Sequence, residues 1–136
     1  MIEAFLSKLI INERNDQHLM ILKEKDGNRI LPIVISIFEA ISIDRVLRKL
    51  KVPRPLTHDL MNSIFVKLGA DLDFVEIADL NQGTYFANLH FSSPSNSKVV
   101  VDCRPSDSIA LAVRAKCPIM IRRKVLDIAS EIDDSD

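Results

Sequence analysis

Two short stretches of this chain gather the side chains that could do chemistry. They are Arg54-Pro55-Leu56-Thr57-His58-Asp59-Leu60 and Asp102-Cys103-Arg104-Pro105-Ser106-Asp107-Ser108-Ile109. In each, an Arg-Pro pair stands just before a hydroxyl residue and an aspartate, where the pattern predicts the start of a helix. Backbone N–H groups in the first turn of a helix lack intrahelical partners, so such an entrance attracts anions. A guanidinium can clamp an oxyanion through two parallel hydrogen bonds, and a histidine can exchange protons near neutral pH. The pattern describes a polar site, and equally well two well-made helix caps.

The elements that must position these residues follow from periodicity. Strands are expected over 4–11 and 18–23, with a turn at Asn15-Asp16. A second turn at Asp26-Gly27-Asn28 leads into the β-branched run 29–35, in which Pro32 favours an edge or a bulge. Ser36 and Glu39 have the spacing of a capping box. After them Ala40, Ile43, Leu47 and Leu50 recur at helical spacing, with Pro53 and Pro55 as the expected stop. Thr57 is the expected cap of a second helix, with Leu60, Met61, Ile64, Phe65 and Leu68 on one face and Gly69 at its left-handed end.

The remainder reads as strands over 72–78 and 84–91 around a turn at Asn81-Gln82-Gly83, a polar loop over 92–97 and a strand over 98–101. A helix over 106–115, a short strand over 118–121 and a weak helix over 125–132 complete it. The fold class expected is α+β, with mostly antiparallel strands and three main helices. Each half reads as three strands and a helix, and Glu39-Ala40-Ile41-Ser42-Ile43 is similar to Asp107-Ser108-Ile109-Ala110-Leu111, which makes a duplicated unit a candidate.

The 136 residues are 47% hydrophobic and 27% charged, enough for one domain with its own core, taken as 1–132. The acidic tail 133–136 is expected to be disordered. No apolar run is long enough to span a bilayer, and the N-terminus lacks the pattern of a signal peptide. Cys103 and Cys117 form no CxxC pair, which with the missing export signal points to reduced thiols and a cytoplasmic location. The net charge of −1, the absence of Trp and the single Tyr argue against tight, general nucleic-acid binding and leave room only for a small local site.

No P-loop, dinucleotide fingerprint or GxSxG elbow occurs, so no organic cofactor is expected. His18 and His90 have no ligand-spaced partners, and no zinc pattern is present. Nothing pairs Cys103 with a nearby histidine, which argues against a thiol nucleophile.

From Met1 to Ile121 the chain resembles the bifunctional nuclease domain family. The resemblance rests on Arg29-Ile30-Leu31-Pro32-Ile33, the Glu39-Ala40 helix start, Arg54 to Leu60, and Arg104-Pro105-Ser106-Asp107 followed by Ile109 and Leu111. Ser36 stands where the family often has Gly, Cys103 where a small residue is usual, and 92–97 where an acidic insert is common. The family's proteins are mixed α/β domains that tend to dimerise, and some plant members are described as cleaving RNA and DNA.

The resemblance implies hydrolysis of phosphodiesters with low sequence specificity in RNA or DNA, by a homodimer. Such chemistry needs an activated water and relief of phosphate charge, which carboxylate-held Mg²⁺ or Mn²⁺ would supply. The residues assigned on this basis are Asp102, Asp107 and Glu39 for metal; Arg54, Thr57, Arg104 and Ser106 for phosphate; and His58, Asp59 and Asp107 for catalysis.

A structural reading competes at each position. An aspartate in a first helical turn stabilises the helix dipole by about 0.3–1 kcal/mol, and a hydroxyl cap contributes roughly 1 kcal/mol. Arg104 and Asp107 lean toward this reading, because an arginine three residues upstream can simply pair with the aspartate. His58 lies off the apolar stripe of its helix and leans toward function. The rival function is a non-catalytic dimeric module that binds a small anionic ligand or a protein partner through the same motifs.

Overall fold

Strand patterning and turn chemistry build two meanders. Strands β1 (Ile2–Ile10), β2 (His18–Glu24) and β3 (Arg29–Ile35) run antiparallel in sequence order. So do β4 (Asp71–Asn81), β5 (Thr84–Ser92) and β6 (Lys98–Cys103). The computed structural model describes residues 1–12 and 14–134. The β4–β5 turn places Gln82 at φ 51° and Gly83 at φ 79°, two successive left-handed residues whose twist matches that of the flanking strands.

β7 (Ile119–Ile121) joins the meanders, antiparallel to β1 and parallel to β4. With β8 (Glu131–Ile132) the result is one eight-stranded sheet, ordered β6-β5-β4-β7-β1-β2-β3-β8 and mostly antiparallel. β8 reaches only Arg29 and Ile30, so β3 is an edge at Pro32, where a missing N–H is harmless.

One face of the sheet carries the core. Met20, Leu22, Leu31, Ile33, Val75, Ile77 and Leu89 project from it against Ile109 and Leu111 of α3 (Pro105–Ala115), Ala40 and Ile43 of α1 (Ile37–Leu47), and Val125 and Leu126 of α4 (Arg123–Ala129). α2 (Thr57–Lys67) is peripheral: Met61 and Phe65 touch the core while none of its residues is fully buried.

The fold class is thus α+β as expected, and the described residues hold three 11-residue helices, α1 to α3, and the shorter α4. The weak helix expected over 125–132 begins at Arg123 and ends at Ala129, because Ser130 turns extended and Glu131 pairs with Ile30 in the sheet. α1 also stops before Pro53 and Pro55. Lys49 adopts φ 55°, and the bonds from Leu50 N to the Arg45 carbonyl and from Lys49 N to the Val46 carbonyl close the helix.

The Ser36–Glu39 capping box is formed at α1. At α2 the cap position falls on Leu56, and Thr57 is the first helical residue. Asp59 reaches back to accept the Leu56 N–H at 2.9 Å, while no side chain at the cap position takes the first-turn N–H groups that the threonine hydroxyl was expected to satisfy. Asp133, the first residue of the expected tail, ion-pairs with Lys23 at 2.9 Å; Ser135 and Asp136 of that tail lie outside the described residues. No helix among the described residues is long and apolar enough to cross a membrane.

Candidate functional site

Because β7 stitches the two meanders together, α1 and α3 lie side by side and α2 packs on α3. Their neighbouring ends enclose a cleft of about 420 Å³. α1 contributes Glu39 and Ser42, one turn apart; α2 contributes Thr57 and His58; α3 contributes Asp107, with Arg104 at its cap position. Phe38, Ile41, Leu56 and Met61 form the apolar part of the wall.

Both ring nitrogens of His58 are engaged. Nδ1 lies 2.8 Å from Ser42 Oγ, and Nε2 lies 3.1 Å from Asp107 Oδ1. An ionised carboxylate only accepts, so Nε2 carries the proton and donates to Asp107. In the neutral imidazole Nδ1 is then the acceptor, so the Ser42 hydroxyl donates to it while Oγ accepts from Arg114 Nη2 at 3.3 Å. The result is a directed chain: Arg114 to Ser42, Ser42 to His58, His58 to Asp107.

Arg104 closes the chain from the other side. Its Nε and Nη2 clasp Asp107 at 3.1 Å each, and Nη1 donates to Glu39 Oε1 at 2.5 Å. The other Glu39 oxygen takes the Ser36 N–H at 2.8 Å. The His58 hydrogen bond, and then Arg104, hold the Asp107 carboxyl well below the usual carboxylate range, overcoming the opposing effect of its burial. Asp107 is therefore a fixed negative charge beside the imidazole.

Behind Ser42, Asp59 lies between two arginines. Arg114, with a side chain only 5% exposed, donates from Nε to Asp59 Oδ1 at 2.9 Å and from Nη1 to the Ala110 carbonyl at 2.8 Å. Arg45 donates to Asp59 Oδ2 at 2.5 Å. Burial alone would raise the Asp59 pKa, but the Leu56 N–H, Arg45 and Arg114 outweigh it and bring the pKa to about 2.

The structure brings Glu39, Thr57, His58, Arg104 and Asp107 of the expected set into one cleft. Ser106 is buried and lines an adjoining pocket of about 300 Å³, which Arg104 and Glu39 also border. Three residues stand apart. Arg54 is exposed in the α1–α2 connection and does not line the cleft; Asp59 faces Arg45 and Arg114 instead; Asp102 is exposed on β6 opposite Asn88.

The expected metal ligands do not form a cage. The Arg104 guanidinium bridges Glu39 and Asp107, and no group of three or more His, Cys, Asp or Glu among the described residues could hold a metal ion. The donor set as placed fits a guanidinium better than a divalent cation.

Three site residues escaped the sequence reading: Ser42, Arg45 and Arg114. Ser42 follows Glu39 by three residues and Arg114 follows Asp107 by seven, so helical spacing placed each on the right face. The thiols are passive. Burial, and then Asp107 and Asp102, push Cys103 up to about 12, and burial raises Cys117 to about 11.

An α+β sheet thus carries a serine, histidine, aspartate and arginine cleft at its helix ends, with the second Arg-Pro motif at the cleft and Arg54 of the first outside it. The sequence profile of the Bifunctional nuclease domain matches residues 20–133, and the chain belongs to that family. It is 38% identical over 128 residues to an uncharacterized protein of Mycobacterium tuberculosis (strain CDC 1551 / Oshkosh), covering 93% of this chain and 76% of that one. It is 27% identical over 120 residues to Bifunctional nuclease 1 of Oryza sativa subsp. indica, covering 86% of this chain and 36% of the plant protein. Bifunctional nuclease 1 of Arabidopsis thaliana is 29% identical over 107 residues, covering 76% and 33%. The chain spans about a third of the length of these plant relatives.

Proposed function

We propose that this protein hydrolyses phosphodiester bonds of RNA or DNA with little sequence preference, in the cleft between α1, α2 and α3. The observation that carries this reading is the pairing of His58 with an ionised Asp107 beside an exposed arginine. Asp107 orients the imidazole and stabilises the imidazolium that forms when His58 takes a proton. The Arg104 side chain is 67% exposed and uses three of its five N–H groups on Asp107 and Glu39, leaving two for a phosphate oxygen. In this reading the positive charge at the phosphate comes from Arg104 and the N–H groups that open α3, not from Mg²⁺ or Mn²⁺.

The test is cleavage of a fluorescent single-stranded oligonucleotide by wild-type protein and by a folded His58→Asn variant purified in parallel. The variant is expected to lose activity by about 10²- to 10⁴-fold, the usual worth of a general acid–base. Wild-type activity is expected to persist in chelator. Equal rates for the two proteins would overturn the assignment and favour the non-catalytic module.

A homodimer belongs to the same proposal. β6 is a sheet edge whose backbone faces no further strand among the described residues, and Val99, Val100 and Val101 are each about half exposed along it. Edge strands of this kind invite pairing with a second copy.

A further inference from the structure

The hydrogen-bond chain that ends on Asp107 begins on a hydroxyl. Ser42 Oγ, His58 and Asp107 stand in the order nucleophile, base, orienting carboxylate, at 2.8 Å and 3.1 Å. Resting on the phosphodiesterase reading above, we propose that Ser42 is the catalytic nucleophile and that the reaction passes through a covalent phosphoseryl intermediate.

Three observations converge on Ser42 rather than on a bound water. Ser42 lines the cleft that Arg104 and Asp107 also line. With Nε2 donating to Asp107, Nδ1 of the neutral imidazole accepts the Ser42 proton, while Oγ accepts from Arg114 Nη2. Arg114 also donates to the Ser42 carbonyl at 3.3 Å, which fixes the residue and holds a buried positive charge beside Oγ. A cation next to an ionising oxygen favours its deprotonated form, as nucleophilic attack requires.

The remaining positions in the network have roles that agree with this. Asp59 neutralises Arg114 and keeps it in place, acting as a positioning residue. Asp107 faces the far nitrogen of the imidazole and carries the counter-charge when His58 becomes doubly protonated. Arg104 binds the non-bridging phosphate oxygens as negative charge builds on them.

Ser42 Oγ forms a bond to phosphorus while its proton passes to His58 Nδ1. The bond from phosphorus to the leaving nucleoside oxygen breaks, and His58 returns the proton to that oxygen. A water then attacks the phosphoseryl ester, giving a proton to His58. The Ser42 Oγ–P bond breaks, and Ser42 recovers its proton from His58. No metal or redox partner enters either half.

A fluorophosphonate probe tests the nucleophile without relying on nuclease turnover, since attack on its phosphorus expels fluoride and leaves a stable adduct. Wild-type protein is expected to gain one adduct, which peptide mass mapping places on Ser42. Folded His58→Asn is expected to label at least tenfold more slowly, and Ser42→Ala not at all. An unlabelled Ser42 in folded wild-type protein overturns the proposal, as does labelling of His58→Asn at the wild-type rate. Oligonucleotide cleavage separates the two readings. Ser42→Ala that still cleaves at the wild-type rate removes the serine and keeps the nuclease. Labelling of Ser42 without any cleavage keeps the serine as nucleophile and removes the nucleic-acid substrate.

Discussion

At the scale of single residues, the site is a closed circuit of charge. Asp59, Asp107 and Glu39 face Arg45, Arg114 and Arg104, and each carboxylate has at least one guanidinium at hydrogen-bond distance. Breaking one partner leaves a half-buried charge uncompensated, so single substitutions are costlier than removal of an exposed pair. The carboxylate of Asp59 has its pKa depressed from 3.8 to about 2. A depressed folded pKa adds stability that is fully present above 3.8 and is lost as pH falls through that range toward 2. Denaturant midpoints are therefore expected to fall between about pH 4 and pH 2. Asp59→Asn, less stable at neutral pH, is expected to lose less over that window than the wild type. An identical acid slope in both proteins, measured by urea titration, would show that Asp59 does not carry the effect.

Residue types were legible here in part. The sequence pattern sets His58 off the expected apolar stripe of α2, and that placement singled it out. In the structure His58 shares the inward face of α2 with Met61 and Phe65, while Leu60, Ile64 and Leu68 are exposed. Arg54 belongs to an equally conspicuous Arg-Pro pair but sits in the connection before α2, exposed and away from the cleft. The difference is one of chain position. Arg104 is the cap residue of its helix and is followed directly by Pro105 at the first turn, whereas Arg54 precedes the cap Leu56 by two residues and points from a linker.

At the scale of elements, α3 positions the chemistry. Its first turn holds Asp107, its last turn holds Arg114, and its inner face buries Ile109, Ala110, Leu111 and Ala112. Ser106 and Ser108 are buried as well, Ser108 returning its hydroxyl to the Pro105 carbonyl at 2.7 Å. A helix so fixed can hold two charged groups in register at opposite ends of one face. Ile109 is fully buried, and Ile109→Ala is expected to cost about 2–5 kcal/mol of stability by denaturant unfolding. A loss well under 1 kcal/mol would mean that α3 is not anchored by that side chain. α2 is the contrast: it has no fully buried residue, and Leu60 and Ile64 are about half exposed. It holds its place through Met61 and Phe65, and through the bonds of His58 and Asp59 to the neighbouring helices.

At the scale of the whole molecule, sheet order decides what meets. β7 lies between β4 and β1, so the two meanders run into each other and the helices that follow them become neighbours. That is why Glu39 and Arg104, 65 positions apart in sequence, share a hydrogen bond. The same order leaves β6 at one end of the sheet, where the proposed dimer contact lies. A lysine on an edge strand discourages pairing. Val100→Lys is expected to convert a dimer to a monomer in light scattering while leaving the thermal midpoint of the fold nearly unchanged. A dimer that survives the substitution would place the contact elsewhere.

The sequence by itself determined the strands of the two meanders, the turns at Asp26-Gly27-Asn28 and Asn81-Gln82-Gly83, the Ser36–Glu39 cap and the family. These depend on residues close together in the chain: alternation along a strand, a glycine with positive φ, a serine three residues before a glutamate. It also named His58, Arg104 and Asp107 as polar residues at helix entrances. Only the tertiary structure decided that they touch one another, and that Ser42 and Arg114 complete the chain. Those contacts depend on the parallel pairing of β4 with β7, three residues long and set by packing rather than by any local pattern. The same geometry put the Arg104 guanidinium between Glu39 and Asp107, and it turned two separate Arg-Pro entrances into one cleft that uses a single arginine of the pair.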